Sequence, residues 1–362
     1  MKKVLLTSTA LVAFAGAAAA EVTMSGSAEM GVIGGENIET QFLQSIDVRF
    51  SLSGETDNGL TFGGSIDLDD VADSATSSPS GLGDQTGFAD FTVFVSGEFG
   101  TVTMGDTDGA LDWAMTDAAS IGNPGSIADN ETGHLGRQDT YFDGAYDGQI
   151  LRYDYAYEGF GFAVSVEQDD RSDAELDQDA IDAGLAAGDL DRGDYNWAVG
   201  VKWSGEAGPG TVKVGAGYQA TDYASLTLGT DDNNITLNFN TDATVWGLSA
   251  GYYMDNGFSI GGTYSDWSAD GIDDGSHWAI GAGYAFDAFS VHANYGEHYF
   301  KTDGSDKIDA SGWGLAAGYD LGGGLSVLAG YGYSELEIKD GATGDKSKGD
   351  TSNWSLGLSM SF

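Results

Sequence analysis

The last ten residues of the chain, 353–362 (NWSLGLSMSF), place a large apolar side chain at every second position. Because successive side chains of a β-strand point to opposite faces, Trp354, Leu356, Leu358, Met360 and Phe362 share one face, and only Asn, Ser and Gly occupy the other. Such a strand suits lipid on one side and water on the other. The pattern favours a membrane β-barrel over a soluble fold.

The beginning of the chain indicates export. Lys2 and Lys3 precede an apolar run over 4–15 and a series of alanines that ends at Ala20. This order is typical of a secretory signal peptide, so we predict that 1–20 is removed after Ala20 and that 21–362 forms one domain. No other segment approaches the roughly 20 consecutive apolar residues of a membrane helix. The chain has no cysteine, so we expect neither disulfides nor thiolate-bound metal.

The charge of the chain is strongly negative, with 57 acidic and 14 basic residues. Removal of Lys2 and Lys3 with the signal leaves 12 basic residues and a net charge of −45. This balance excludes nucleic acid as a partner. Acidic chains are often disordered, but such chains lack aromatic residues, and this one has 8 Trp, 17 Tyr and 17 Phe. We therefore expect the acidic residues to lie on a folded scaffold.

Segments with the alternation of the last strand recur along the chain, and we count sixteen of them, 195–203 and 313–319 being the clearest. Their connections alternate between short and long, as sixteen up-and-down strands require. The seven short ones are 55–59, 97–100, 158–161, 205–210, 254–257, 286–288 and 320–324; the eight long ones are roughly 34–40, 70–87, 107–148, 168–194, 223–242, 266–276, 297–311 and 335–351. The sequence thus predicts an all-β, antiparallel transmembrane barrel.

Two alternatives were weighed against this prediction. A soluble β-sandwich also alternates, but it has no reason to separate loop lengths by side or to expose so much apolar area. The stretch 225–240 is either a hairpin within a loop or two more strands, which would make eighteen.

Tyrosines before the long connections predict one aromatic belt: Tyr218, Tyr252, Tyr264, Tyr284, Tyr295, Tyr319 and Tyr331.

Four short motifs carry a resemblance to a known family. They are EVTMSG at 21–26, RFSLSG at 49–54, TMGD at 103–106 and the terminal Phe362. With these motifs the chain resembles the general porins of Gram-negative bacteria, of the alphaproteobacterial type. The resemblance implies an outer-membrane homotrimer in contact with lipid and lipopolysaccharide, with the third long loop, 107–148, folded into the lumen as a constriction. The loop tip of enteric porins has no counterpart beyond 123–126 (NPGS), so its detailed conformation is not carried over.

Charged residues in this loop and on the inward strand faces are candidates for the constriction. Because side chains alternate between the two faces of a strand, we expect four basic residues to point into the lumen, where they would form a basic wall: Arg49, Arg152, Lys202 and Lys213. The carboxylates that we expect at the opening are Asp106, Asp108, Asp112, Asp117, Asp129 and Glu131. Across a narrow passage the two sets would create a transverse field. The alternatives are that the cations only pair with neighbours such as Asp47 or Asp154, and that the loop is solvated outside.

Clustered carboxylates also suggest Ca²⁺ or other divalent cations at the acidic loops, since hard cations take oxygen ligands. Candidates are 106–112, 231–232 and 273–274, but none has the spacing of an EF-hand. No specific metal site follows, and no cofactor is required.

The function that the sequence favours is passive diffusion of ions and small hydrophilic solutes through a water-filled channel, with a preference for cations. A substrate-specific channel of 16–18 strands is the alternative. An outer-membrane barrel hydrolase needs a positioned nucleophile and base. None of the four histidines, His134, His277, His292 and His298, lies in a recognisable signature, so we do not expect an enzyme.

Overall fold

The fold is taken from a computed structural model of the chain. It describes residues 21–362 except 37, 69–89, 139, 145–148, 169–194, 223, 229–234 and 240–241. The expected signal peptide, 1–20, lies outside the described residues. Among the residues that are described, no helix is long and apolar enough to cross a membrane.

Strands make up nearly all of the regular structure. Their bounds are β1 Glu21–Gly35, β2 Gln41–Glu55, β3 Thr61–Leu68, β4 Asp90–Gly97, β5 Gly100–Gly105, β6 Ile150–Tyr157, β7 Phe160–Gln168, β8 Tyr195–Glu206, β9 Gly210–Thr221, β10 Ala224–Leu228, β11 Ile235–Phe239, β12 Ala243–Met254, β13 Phe258–Ala269, β14 Ile272–Phe286, β15 Phe289–Thr302, β16 Lys307–Gly322, β17 Leu325–Lys339 and β18 Lys346–Ser361. A short helix, α1 (Ala110–Ala114), and a 3₁₀ turn (Ala118–Ser120) lie between β5 and β6.

Sixteen of these strands form one closed antiparallel barrel, which confirms the predicted fold. The barrel closes where β18 pairs with β1, from Ser27 opposite Ser361 to Gly35 opposite Asn353. Strands β10 and β11 pair only with each other, and β9 pairs with β12 across them. The alternative of eighteen barrel strands is therefore wrong, because β10 and β11 form a separate two-stranded sheet outside the barrel.

The two faces of the barrel wall differ as the alternation predicts. Leu356 on β18 is 53% exposed and Phe42 on β2 is 86% exposed, and both point outward. Their inward neighbours are small or polar; Ser355 is only 3% exposed. A soluble sandwich would bury the large residues, so the outer face matches a barrel in lipid.

The seven short connections are confirmed, but several of the other connections are shorter than predicted. Strands β13 and β14 are joined by residues 270–271 alone, and β17 and β18 by 340–345. The strands continue past the apolar band with charged residues facing outward, which pair across the ladder as in Lys346 with Glu337 and Lys348 with Glu335. A search for apolar alternation ends each strand too early at such positions.

The prediction of the tyrosine belt is partly wrong. Tyr252, Tyr284 and Tyr319 lie near the ends of β12, β14 and β16 that lead into short turns. The connections that follow these three tyrosines, 254–257, 286–288 and 320–324, are short ones, so strand order already places them on the side opposite the long connections. The side of the long connections instead carries tilted pairs such as Trp246 with Tyr264.

Candidate functional site

The long connection between β5 and β6, which we call the constriction loop (106–149), folds into the barrel, as the family resemblance implied. Strand β5 has only six residues, and the chain turns inward where the Asp106 amide donates to the Phe91 carbonyl at 3.0 Å. The loop then follows the inner wall. Helix α1 contacts β7, β8 and β9, and the 3₁₀ turn contacts β13, β14 and β15.

Glycines on the inward faces of the strands allow this close approach. A Cβ atom at Gly200, Gly281 or Gly314 would clash with a backbone carbonyl oxygen of the loop, that of Ala110, Ala118 or Glu131. The same holds along the rest of the path, at Gly215, Gly283, Gly296 and Gly332. The glycines thus form a track that fixes where the loop lies. Many of the 57 glycines of the chain have this role, which the sequence did not reveal.

Apolar side chains of the loop pack into the same interface. Leu111 and Ile121 are fully buried between the loop and the wall. Near the end of the loop, Phe142 packs edge-on against Trp267 of β13 with ring centroids 5.0 Å apart, and Tyr141 stacks on the same indole. The hydrophobic core of the protein therefore lies inside the barrel, between the loop and the wall.

Two stacked histidines hold the middle of the loop. His277 of β14 and His298 of β15 have ring centroids 4.2 Å apart and are buried. Each Nε2 lies 3.0 Å from a loop carbonyl, that of Gly136 for His277 and that of Arg137 for His298. A carbonyl only accepts, so each imidazole donates from Nε2, and each Nδ1 lacks a hydrogen-bond partner in the described part of the chain.

The other two histidines lie in the same interface. His292 of β15 contacts the Ile121 carbonyl through Nδ1 at 3.0 Å, and Asn294 lies 2.5 Å from Nε2 of His134 in the loop. Burial lowers the pKa of His134 to about 4. All four histidines thus serve as neutral anchors of the loop, and none of them faces the open lumen beside a nucleophile.

A buried polar cluster closes the loop on itself. The Asp143 carboxylate accepts from the Gly109 amide at 2.6 Å and from Gln219 Nε2 at 2.7 Å. Asn196 of β8 bridges Gln219 and Glu167 with hydrogen bonds of 3.0 and 2.9 Å. Burial raises the pKa of Asp143 to about 7. This cluster joins the start and the end of the constriction loop to β7, β8 and β9.

Two of the predicted wall cations contact the loop itself. Arg152 donates from Nη1 to Thr107 Oγ1 at 3.2 Å and to the Asp108 carbonyl at 2.5 Å. Lys202 donates to the Trp113 carbonyl at 2.8 Å, and its ammonium lies 3.4 Å from the centroid of the Trp113 ring. Arg152 and Lys202 therefore lie on the same side of the lumen as the loop and anchor it, so they do not face it across an opening.

The other two cations are more exposed. Lys213 of β9 lies 4.7 Å from the ring centroid of Tyr253 on β12. Arg49 of β2 lies on the other side of the barrel, where its Nη1 is 3.4 Å from Asp67 Oδ2 and its side chain is 54% exposed. Arg49 is thus the predicted wall cation that lies away from the loop.

The predicted loop carboxylates are distributed unevenly. Asp106, Asp108 and Asp129 are exposed, and Asp112 and Asp117 are half-buried. Asp117 accepts from Arg137 Nε at 3.3 Å and from the Ala119 amide at 2.8 Å, so it stabilises the 3₁₀ turn.

The structure corrects the expectation for Glu131. Its side chain is 1% exposed and lies between the loop and the wall, where Oε1 accepts from Asn123 at 2.9 Å. Its backbone carbonyl accepts from Asn294 at 2.8 Å and lies against Gly314. Residue type alone does not show which side of an irregular loop a carboxylate faces, and Glu131 faces the wall.

The wall formed by β1, β2 and β3 carries further acidic groups that the sequence analysis did not select. Ser27 donates to Asp47 at 2.8 Å, and Glu29 interacts electrostatically with Asp47 and with Asp129 of the loop. The strand parity of these residues would have identified them, since Glu29 and Asp47 share the inward face with Arg49.

The calcium candidates gain no support in the described residues, among which no group of three or more His, Asp or Glu side chains could hold a metal ion. Residues 231–232 lie outside the described residues. Asp273 instead pairs with Lys301 across β14 and β15.

Comparisons with known proteins agree with this architecture. The family model of the Gram-negative porins matches residues 7–339. A porin of Rhodobacter capsulatus is 28% identical over 329 residues, which cover 88% of this chain and 96% of that protein. A porin structure refined at 1.8 Å resolution has a TM-score of 0.61 at 22% identity, covering 94% of this chain and 100% of that one.

Two further solved structures share the fold. A triple mutant of Rhodopseudomonas blastica porin has a TM-score of 0.57 at 17% identity and covers 94% of this chain and 100% of its own. OmpT, an outer membrane protein of Vibrio cholerae, has a TM-score of 0.61 at 12% identity, with coverage of 98% and 100%. The family match spans most of the barrel and the whole constriction loop, and the chain therefore belongs to the Gram-negative porins, a family of outer-membrane channels.

Proposed function

We propose that the barrel is a water-filled channel for passive diffusion of ions and small hydrophilic solutes, that it prefers cations, and that it acts as a homotrimer. The observation that carries the proposal is the position of the constriction loop. The loop contacts the inner wall from β6 round through β18 to β1. We infer that the aqueous passage lies between the exposed side of the loop and the wall of β2 to β5. Diffusion through such a passage requires no cofactor.

The preference for cations follows from the charges that border this passage. Arg49 is the exposed guanidinium of the wall, and it is paired with Asp67. The carboxylates on the two sides are Asp47 and Asp67 of the wall and Asp106, Asp108 and Asp129 of the loop. Charges of one sign in a narrow aqueous passage with low-dielectric walls concentrate the opposite ion. Low-dielectric walls also weaken the screening that bulk salt exerts beyond about 8 Å.

The oligomeric state is supported by the height of the wall. A transmembrane strand needs about 9–11 residues to cross the apolar band. Strand β5 has six residues and β6 has eight, so this part of the wall is too low to face lipid alone. A second copy covering this side removes the mismatch. Analytical ultracentrifugation in mild detergent should give a trimeric mass, and a monomeric mass would contradict this part of the proposal.

Selectivity is tested by the reversal potential of the purified protein in a planar bilayer under a KCl gradient. We expect a potential of cation sign, reduced toward zero when Asp108 and Asp129 are both replaced by Asn. The contact of Asp108 with Arg152 uses its backbone carbonyl, and Asp129 has a φ of 44°, which Asn tolerates, so both substitutions keep the backbone.

The matched control is Asp345→Asn. Asp345 is exposed in the connection between β17 and β18, away from the passage. An equal shift in this control would show that the whole surface, and not the passage, determines selectivity. A reversal potential of anion sign in the unmodified protein would refute the preference for cations and leave the channel itself standing.

A further inference from the structure

A cavity of about 640 Å³ opens into the lumen beside helix α1. The constriction loop contributes Trp113 and Met115 to its lining, and the wall contributes Lys202, Lys213 and Tyr253. The short turn between β6 and β7 borders the cavity as well, so it lies on the short-turn side of the loop. Its volume is within the range of small-molecule sites, about 300–1,000 Å³.

Two ammonium groups meet in this cavity. Lys202 and Lys213 interact electrostatically, and in the part of the chain that the structure describes neither forms a salt bridge. Lys202 uses one N–H bond for the Trp113 carbonyl, which leaves two of its three donors for a ligand. Two ammonium groups without a bound carboxylate are unusual in a chain with 57 acidic and 14 basic residues.

Two of the carboxylates near the cavity already have partners. Asp117, at the edge of the cavity, is bonded to Arg137 and to the Ala119 amide. Asp154 is paired with Arg152 at 3.4 Å. Glu158 of the turn between β6 and β7 also lines the cavity, and Asp108 interacts electrostatically with Lys202, so an anion from solution would compete with these two carboxylates for the ammonium groups.

The rest of the lining combines polar side chains, Thr116, Asp117, Ser120, Glu158 and Ser204, with apolar and aromatic ones. Each ammonium lies near the face of a ring, Lys202 near Trp113 and Lys213 near Tyr253. The face of an aromatic ring is its negative side and the edge its positive side, so the cations use the faces and leave the edges favourable to an anion. Met115 and Ala156 add apolar surface beside them. Such a lining suits a ligand that carries one carboxylate on an apolar body.

We propose that this cavity is a binding subsite for small aromatic carboxylates on their way through the channel. The carboxylate binds between Lys202 and Lys213, and the ring lies against Trp113, Met115 and Tyr253. The proposal extends the proposed channel function and rests on it, because a ligand would reach the subsite from the lumen on the short-turn side of the constriction loop. It also predicts that a channel selective for inorganic cations still retains one class of organic anion.

The test uses benzoate as the probe, with benzyl alcohol as the neutral ring and acetate as the charge without a ring. Saturation-transfer NMR on the folded full-length protein in detergent reports binding, and single-channel recording in KCl reports block. We expect benzoate to bind and to reduce the current saturably, and both controls to be at least about tenfold weaker, because each lacks either the charge-assisted contacts or the apolar contact.

Variants locate the subsite. Lys213→Gln, which removes a cation that does not bond to the loop, should weaken benzoate binding about tenfold. Arg49→Gln removes a lumen cation on the far wall and should leave benzoate binding unchanged.

Absence of benzoate binding, equal binding of benzyl alcohol, or equal weakening by Arg49→Gln would overturn the subsite. A protein that conducts but fails these binding tests keeps the channel and loses the subsite. A protein that binds benzoate in the predicted way but does not conduct loses the channel and keeps the subsite.

Discussion

Acidification should weaken the contact between residues 131–137 of the constriction loop and the wall, because this contact depends on neutral histidines. His134 belongs to the loop, and His277 and His298 belong to the wall; all three are buried. The charged groups near them are Arg137 and Glu131 of the loop, together with His292. None of these histidines faces a carboxylate that would favour its protonated form through a hydrogen bond.

The magnitude follows from the pKa of His134, which burial lowers from 6.5 to about 4. A loop released from the wall takes up the proton at 6.5, so the contact is at full strength above that pH and weakens as the pH falls from 6.5 toward 4. The total loss is about 3 kcal/mol, and at pH 5 the docked fraction of this segment should fall about thirtyfold.

The stacked pair adds to this effect. Protonation of both His277 and His298 would place two positive charges 4.2 Å apart. At an effective dielectric constant of about 20, their repulsion is about 4 kcal/mol. The docked loop therefore tolerates at most one proton on the pair, and the second favours release.

The two ends of the loop should respond with opposite sign. Burial raises the pKa of Asp143 from 3.8 to about 7, so its docked form takes up a proton that the released form does not. Acidification from pH 7 toward 4 therefore favours the docked position of Asp143, because the neutral carboxyl costs less to bury, while it weakens the contact at His134. A uniform effect of pH on the whole protein would not produce this pattern.

Hydrogen exchange read by mass spectrometry on the folded protein, corrected for the intrinsic rate, distinguishes the two ends. Between pH 7.5 and 5, amides of 131–137 should lose protection about thirtyfold, whereas the Gly109 amide and the strands β16 and β17 should not. Replacing His134 by Gln keeps an amide donor near Asn294 and should remove the contribution of His134. Equal protection of 131–137 at both pH values in the unmodified protein would refute the reasoning.

Two further predictions concern the wall. Gly281→Ala places a Cβ against the Ala118 carbonyl, so the loop must move into the passage at a cost of about 1–3 kcal/mol, and single-channel conductance should fall. The control is Gly349→Ala, which has no atom within 4 Å of the added carbon and should leave the conductance unchanged. Equal conductance of the two variants would show that the glycine track is not close-packed against the loop. Leu356→Arg on the outer face should lower the stability of the barrel in liposomes by about 2–4 kcal/mol in urea titrations, and an unchanged midpoint would mean that this face does not contact lipid.

Much of the barrel could be predicted from the sequence because lipid and water impose a local rule. Each strand must alternate, and the last strand shows this from Trp354 to Phe362. The rule fails where the strands leave the apolar band, because pairs such as Lys346 with Glu337 continue the ladder with charged outward side chains. The predicted strand count was therefore correct, while the connections of the second half were predicted too long.

The path of the constriction loop could not be predicted in the same way. Strand parity correctly placed Arg152 and Lys202 on the inner wall, but parity does not show what a side chain meets there. The contact between Gly281 and Ala118 joins positions far apart in the chain, and a glycine in a strand is consistent with a bulge or with simple lack of bulk as well. Glu131 faces the wall for the same reason, since an irregular loop has no period from which its facing could be read.

Where a wall cation holds the constriction loop, a substitution changes both the charge of the lumen and the position of the loop. At the exposed carboxylates of the loop, the charge can be changed alone. Removal of the Lys202 ammonium also removes a hydrogen bond to the Trp113 carbonyl, so any change in selectivity would combine lost charge with a displaced loop. Asp108 and Asp129 are exposed, and Asn at either position preserves the backbone contact or conformation that the loop requires. The electrostatic part of the function is thus measurable at these two carboxylates without altering the glycine track, whereas substitutions at Arg152 or Lys202 test the track and the field together.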